Sequence, residues 1–173
     1  MILDKDEVEQ YLFRLLHINV ITALETFLSD AFINNANLTA QLGVWNRDES
    51  LGIAFASSVG FILPNGAVRS PDASWLKRDR WDCLTQEQKV KFPSVCPDFV
   101  VELRSDTDCL TRLQNKMQEY RDNGAKLGWL VDLETQQVEI YRSGRDVEVL
   151  QSPASLSGED VLPQFVLNLK DIW

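Results

Sequence analysis

From residue 97 to residue 133 the chain reads strand, helix, strand, and this order most restricts what it can fold into. PDFVVEL (97–103) is apolar and β-prone. Thr107 to Asn123 then places Leu110, Leu113, Met117 and Tyr120 at threes and fours, the spacing of one helical face. Gly124 stands where a helix end favours a left-handed residue, and GWLVDL (128–133) follows as a second apolar strand. Strands joined through a helix pair in parallel, with a right-handed crossover. The expected centre is therefore a βαβ unit.

Residues 4–29 carry Val8, Leu12, Leu15, Leu16, Ile21, Leu24 and Leu28 at helical spacing, with Asp4 and Glu7 resembling a capping box. NNANLTA (34–40) reads as a polar loop, and QLGVWNR, GIAFASS and VGFIL as short strands. Asn65-Gly66 predicts a tight turn that makes VGFIL and AVRS antiparallel partners. From SPDASWLKRDRW to residue 96 a long loop is expected, with one helical turn at TQEQK. QQVEIYR, the turn SGRD and VEVL predict a second hairpin, and FVLNL and IW predict tail pieces that dock on the core. No repeat or linker interrupts the chain, so a single domain over residues 1–173 is expected. The fold class is α/β (α+β), a mixed central sheet flanked by helices.

The net charge of -9 argues against broad, sequence-blind adhesion to nucleic acid, which needs a basic face. A local basic patch, or metal ions at a site, still leaves phosphates accessible. Cys83, Cys96 and Cys109 form no CxxC pair and are odd in number, so a disulfide framework is not expected. MILDKDEVEQ lacks the apolar core of a signal peptide, and no apolar run approaches the ~18 residues of a membrane span. A cytoplasmic protein without membrane contact is the expectation.

Glu102 interrupts the most apolar strand. A buried, unpaired charge costs several kcal/mol or neutralises itself, so something must face it. Side chains alternate along a strand, which puts Asp98, Val100, Glu102 and Arg104 on one face and Phe99, Val101 and Leu103 on the other. Asp98 and Glu102 are ~13 Å apart along the strand and cannot share an ion. Asp72, at the end of the preceding hairpin, is the candidate partner. Two close carboxylates raise one another's pKa or take a divalent cation, and Mg²⁺ (or Mn²⁺) suits an oxygen set that leaves positions for water. Lys116, three residues after Leu113 and four before Tyr120, flanks the buried helical stripe and can reach toward Glu102. An acid pair, a metal and a lysine make a phosphodiester hydrolysis site.

SPD, PDFVVELRSDTD and LQNKMQEYRDNGAKLGWLVD together resemble the putative restriction endonuclease family of the PD-(D/E)xK nuclease superfamily. The likeness implies the restriction-endonuclease-like fold. It implies Asp72 and Glu102 as metal ligands, with the Leu103 carbonyl as a third. The lysine of the superfamily's Glu-x-Lys is Arg104 here. Arginine stays charged and cannot accept a proton. The resemblance moves the lysine role to the following helix, onto Lys116, the residue that helical phase also selects.

Plainer readings stand beside these. Asp72 after proline suits a turn, Glu102 can pair with Arg104 or Arg69, and Lys116 can be a solvated helix lysine. SWLKRDRW interleaves Trp75 and Trp81 with Lys77, Arg78 and Arg80. That mixture suits stacking and phosphate contacts with substrate, to which Arg104 can add; it equally suits a loop whose tryptophans fill the core. His17 is the only histidine and excludes a His-rich zinc site, and no phosphate-binding glycine loop occurs. The resemblance also implies that Glu25, an acid on the first helix, can assist a metal. Two functions compete: a Mg²⁺-dependent endonuclease on DNA, expected as a homodimer because a duplex has two strands to cut, and a catalytically inactive relic of the fold that serves as an interaction module. Action on RNA or a small phosphoester is not separable from the first.

Overall fold

The structure is a computed structural model whose described residues are 33–90 and 92–173. The helix expected over residues 4–29, with His17 and Glu25, lies outside them. The chain divides into two compact units, Met1–Ile33 and Asn34–Trp173, and the second holds everything that follows.

Ten strands and four helices are present among the described residues. Helix α1 covers residues 33–49. Strands β1 (Gly52–Ala56), β2 (Phe61–Ile62), β3 (Val68–Arg69) and β4 (Ala73–Lys77) follow. Two short helices, α2 (Arg78–Asp82) and α3 (Gln86–Val90), lead to β5 (Phe99–Arg104). Helix α4 (Leu110–Asp122) connects β5 to β6 (Leu127–Asp132). β7 (Gln137–Arg142), β8 (Glu148–Gln151), β9 (Ser155–Ser157), β10 (Val166–Asn168) and a 3₁₀ turn (Leu169–Asp171) complete the chain.

The central sheet has six strands in the order β1-β4-β5-β6-β7-β8. β5 and β6 are parallel, with Glu102 opposite Leu130 and Arg104 opposite Asp132; the other neighbours are antiparallel. The βαβ unit thus forms as the sequence predicts. Gly124 ends α4 at φ +108, where only glycine avoids strain.

The alternation of β5 sorts the core into two layers. Phe99 and Val101 join Trp129, Val131, Leu38 and Leu42 on one face of the sheet. Val100 joins Leu130, Met117 and Tyr120 on the other, beneath α4. Gly128 lets the helix approach: a Cβ there would stand 2.6 Å from the Met117 methyl.

Two expectations are corrected. Residues 34–47 are not a loop followed by a strand but part of α1. Leu38 and Leu42 are fully buried and Trp45 packs beside them, while Val44 stays exposed. This is a helical stripe at spacings of four and three, whose last part imitates strand alternation. The Gln41 and Trp45 side chains donate to the Asn168 and Pro163 carbonyls, tying α1 to the tail. SPDASWLKRDRW is likewise not a loop. Ala73–Lys77 form β4, because Ala73, Ser74, Trp75 and Leu76 are all buried between β1 and β5.

Candidate metal and phosphodiester site

Asp72 owes its place to sheet register. β4 pairs with β5 so that Ala73 lies opposite Val101, which sets Asp72, one residue earlier, beside the Glu102 step of β5. Its backbone N–H donates to the Val101 carbonyl at 3.0 Å. Its carboxylate accepts the Leu103 N–H at 2.8 Å on Oδ2 and the Asn35 amide at 3.0 Å on Oδ1. In a strand the N–H and C=O of one residue share an edge, so the Leu103 carbonyl faces the same side as Asp72.

Glu102 lies under α4 and is 3% exposed. Lys116 Nζ is 2.7 Å from its Oε1 and donates to the Ser70 carbonyl at 3.1 Å. The Tyr120 hydroxyl donates to the same Oε1 at 3.2 Å. Lys116 and Tyr120 are one helical turn apart, so both reach the sheet from one side of α4, with the ammonium 5.9 Å from the Tyr120 ring centroid. The lysine therefore bridges the two acid-bearing elements: the segment ending β3 through Ser70, and β5 through Glu102.

The electrostatics follow from burial. Desolvation pushes the Glu102 carboxyl up to about 7, against the pull of Lys116 and the Tyr120 hydroxyl, and the charge of Asp72 adds to the rise. Asp72 is also raised by burial, partly offset by the Leu103 N–H and by Lys116. The charge of Asp72 makes Glu102 harder to ionise, a cost that a bound cation would relieve. Among the described residues no group of three or more His, Cys, Asp or Glu side chains converges on a point. The donors gathered here are two carboxylates and a backbone carbonyl, all hard oxygens, a set that fits a divalent ion retaining several waters.

The plainer partners proposed for Glu102 go elsewhere. Arg69 pairs with Glu119, and Arg104 Nη1 lies 2.6 Å from Asp132 Oδ2. β4 carries the basic stretch that follows Asp72 away from it. Lys77 is five residues along an extended strand from Asp72, ~17 Å. There its N–H donates to Asp98 at 2.9 Å, and its ammonium faces Asp79 at 3.4 Å. Arg78 opens α2, with Nη2 3.5 Å from the Gly52 carbonyl. Arg80 and Lys126 approach the buried Asp98 at 2.9 and 3.0 Å, so this acid anchors the opposite end of β5. Trp75 is a core residue, and Trp81 packs on Phe55.

The sequence reading missed Asn35 and Tyr120 as parts of the site. Tyr120 had a signal, its place four residues after Lys116. Asn35 had none, since only tertiary folding brings α1 to Asp72.

The family described as "Putative restriction endonuclease" (Uma2) matches residues 30–170. Among solved structures, that of "a putative nuclease belonging to DUF820" from Anabaena variabilis ATCC 29413 superposes with a TM-score of 0.69 at 18% identity. The match covers 83% of this chain and 79% of that one. It establishes the architecture as restriction-endonuclease-like. No curated protein matches the sequence.

Proposed function

The chain belongs to the Uma2 family of putative restriction endonucleases, and from that premise we propose that it is a Mg²⁺- or Mn²⁺-dependent endonuclease that hydrolyses DNA phosphodiester bonds. The observation that carries the reading is the contact between Lys116 Nζ and Glu102 Oε1 at 2.7 Å, with Asp72 held against the next residue of the same strand.

Asp72, Glu102 and the Leu103 carbonyl would hold the ion. When bound, a divalent ion supplies Lewis-acid polarisation of the phosphate and neutralises its charge. The residues of the chain do the rest. The Leu103 N–H and the Asn35 amide fix the plane of the Asp72 carboxylate. Tyr120 and Lys116 both occupy Oε1 of Glu102, which leaves Oε2 free of hydrogen-bond donors among the described residues. The Lys116 ammonium orients the attacking water and offsets the negative charge that grows on phosphorus oxygens in the transition state. Lys116 is 24% exposed at its side chain, so solvent and substrate can reach it while Glu102 stays buried.

Contacts from Lys77, Arg78, Arg80 and Arg104 to the substrate are secondary in this reading, since Arg80 and Arg104 already hold internal carboxylates. A homodimer in the cytoplasm is the proposed working form, one site for each strand of a duplex.

The test is nicking of supercoiled plasmid with Mg²⁺ or Mn²⁺, with a chelator as control. Asp72→Asn, Glu102→Gln and Lys116→Ala should each slow it ~10²-fold or more. Wild-type rates in Glu102→Gln and Lys116→Ala defeat the assignment. The second reading, an inactive interaction module, draws on the commitment of Arg104 to Asp132. Calorimetry that finds no divalent-ion binding, and no change on Glu102→Gln, would favour it.

A further inference from the structure

Arg104 follows Glu102 by two residues on the same face of β5, yet its guanidinium turns away from the acid. Nη1 meets Asp132 Oδ2 at 2.6 Å across the parallel register that sets Arg104 opposite Asp132. Nη2 is 3.8 Å from Glu134, and Nε donates to the Asp108 carbonyl at 3.3 Å. Two of these partners, Asp132 and Asp108, are themselves fixed. Asp132 Oδ1 accepts the N–H groups of Glu134 and Thr135 at 3.1 and 3.3 Å. Asp108 accepts the Ser105 N–H at 3.1 Å and its hydroxyl at 2.6 Å, and returns its own N–H to the Ser105 carbonyl at 3.0 Å. One side chain thus joins the end of β5, the turn after β6 and the loop 105–109.

That loop launches α4, whose start packs on the core through Leu110 and Leu113 but lacks a side-chain cap. Cys109 at the N-cap makes no side-chain capping bond, and no acidic residue lies in the first turn. Free N–H groups at a helix start and an uncapped first turn fray easily. Lys116 lies six residues in, ~9 Å along the axis, so a shift of the first turn reaches it.

We propose that Arg104 is a positioning residue for Lys116: by tying the 105–109 loop to Asp132, it sets the entry of α4 and thereby the reach of the ammonium to Glu102. This deepens the nuclease reading and rests on it for its kinetic arm. It also gives position 104 a task that a lysine cannot fill, because three separate partners need the guanidinium fork.

The experiment uses the full chain with Arg104→Met, Arg104→Lys, Asp132→Asn and Arg104→Lys combined with Lys116→Ala. Plasmid nicking should show kcat lowered ~10- to 100-fold in Arg104→Met, with KM unchanged, the effect of a misplaced catalytic group. Asp132→Asn, which keeps its capping oxygen, should fall the same way, and Arg104→Lys should lie between. The combined variant should be no faster than Lys116→Ala alone. A second readout needs no cleavage: the coupling between Glu102→Gln and Lys116→Ala in a double-mutant cycle of unfolding should shrink in the Arg104→Met background. An Arg104→Met protein with wild-type kcat, an undiminished coupling, or a combined variant faster than Lys116→Ala overturns the proposal. If the wild-type chain cleaves nothing, the nuclease reading falls, and the coupling still decides the role of Arg104. If Arg104→Met does not fold, Asp132→Asn and Arg104→Lys carry both readouts.

Discussion

The Lys116 ammonium on α4 and the Glu102 carboxylate on β5 meet at 2.7 Å, fourteen residues apart in sequence and joined by the crossover of one βαβ unit. Around this contact the chain gathers a second carboxylate, a backbone carbonyl and a phenol. The same pair fixes what each change to the site should do.

Replacing Lys116 by alanine should slow plasmid nicking by ~10²–10³, the usual loss when one positioned electrostatic donor is removed. Lys116→Arg should not restore it, because a planar fork cannot take the place of a point charge between Glu102 and the Ser70 carbonyl. Gel-based nicking rates on both variants check this.

Glu102 should leave a mark on stability against pH. Its folded-state pKa is raised to about 7, above the 4.5 of an exposed glutamate. The folded state therefore binds the proton more tightly. The associated stability is full below pH 4.5, declines as pH rises, and is lost above about 7. In chelator, Glu102→Gln should abolish this decline and leave the protein more stable than wild type at pH 8, by up to about 3 kcal/mol. Urea unfolding at pH 5 and pH 8 measures it; a Glu102→Gln protein less stable than wild type at pH 8 contradicts it.

Metal binding should invert that cost. A divalent ion needs both carboxylates ionised, so binding near neutrality releases protons. The rise in Tm caused by Mn²⁺ should be larger at pH 8 than at pH 6, and titration calorimetry in buffers of different ionisation heat should count the protons. Asp72→Asn should remove both effects.

Tyr120→Phe keeps the ring and removes the hydroxyl that donates to Glu102 Oε1. That bond favours the ionised acid, so its loss pushes the Glu102 pKa further up. The acidic limb of the pH–rate profile should move to higher pH. Activity at pH 7 should drop roughly threefold to tenfold, equivalent to a hydrogen bond of ~1 kcal/mol. An unmoved limb would show that the phenol does not hold this carboxylate.

Gly52→Ala tests the fold rather than the site. A Cβ there would stand 2.4 Å from the Leu76 carbonyl oxygen and 2.4 Å from the Trp75 ring. The carbonyl belongs to a paired strand and cannot move aside, so β1 must shift on β4. A loss of ~1–3 kcal/mol is expected in denaturant unfolding, with nicking by the folded fraction unchanged.

The strand–helix–strand order, the face that Glu102 shares with Val100, and the phase that puts Lys116 beside Tyr120 were legible in the sequence, because each depends on a repeat of two or of 3.6 within a few residues. Tertiary structure decided the partners. Asp72 meets Glu102 only through the β4–β5 register, and Asn35 meets Asp72 only through the docking of α1. Arg69 and Arg104, both plausible neighbours for Glu102, are taken by Glu119 and Asp132. Ala73–Lys77 read as loop because burial between two neighbouring strands leaves no alternation to detect. Local periodicity fixes which way a side chain points. Which charge it finds there depends on what the closed chain brings alongside, and that is settled by sheet order and packing across dozens of residues.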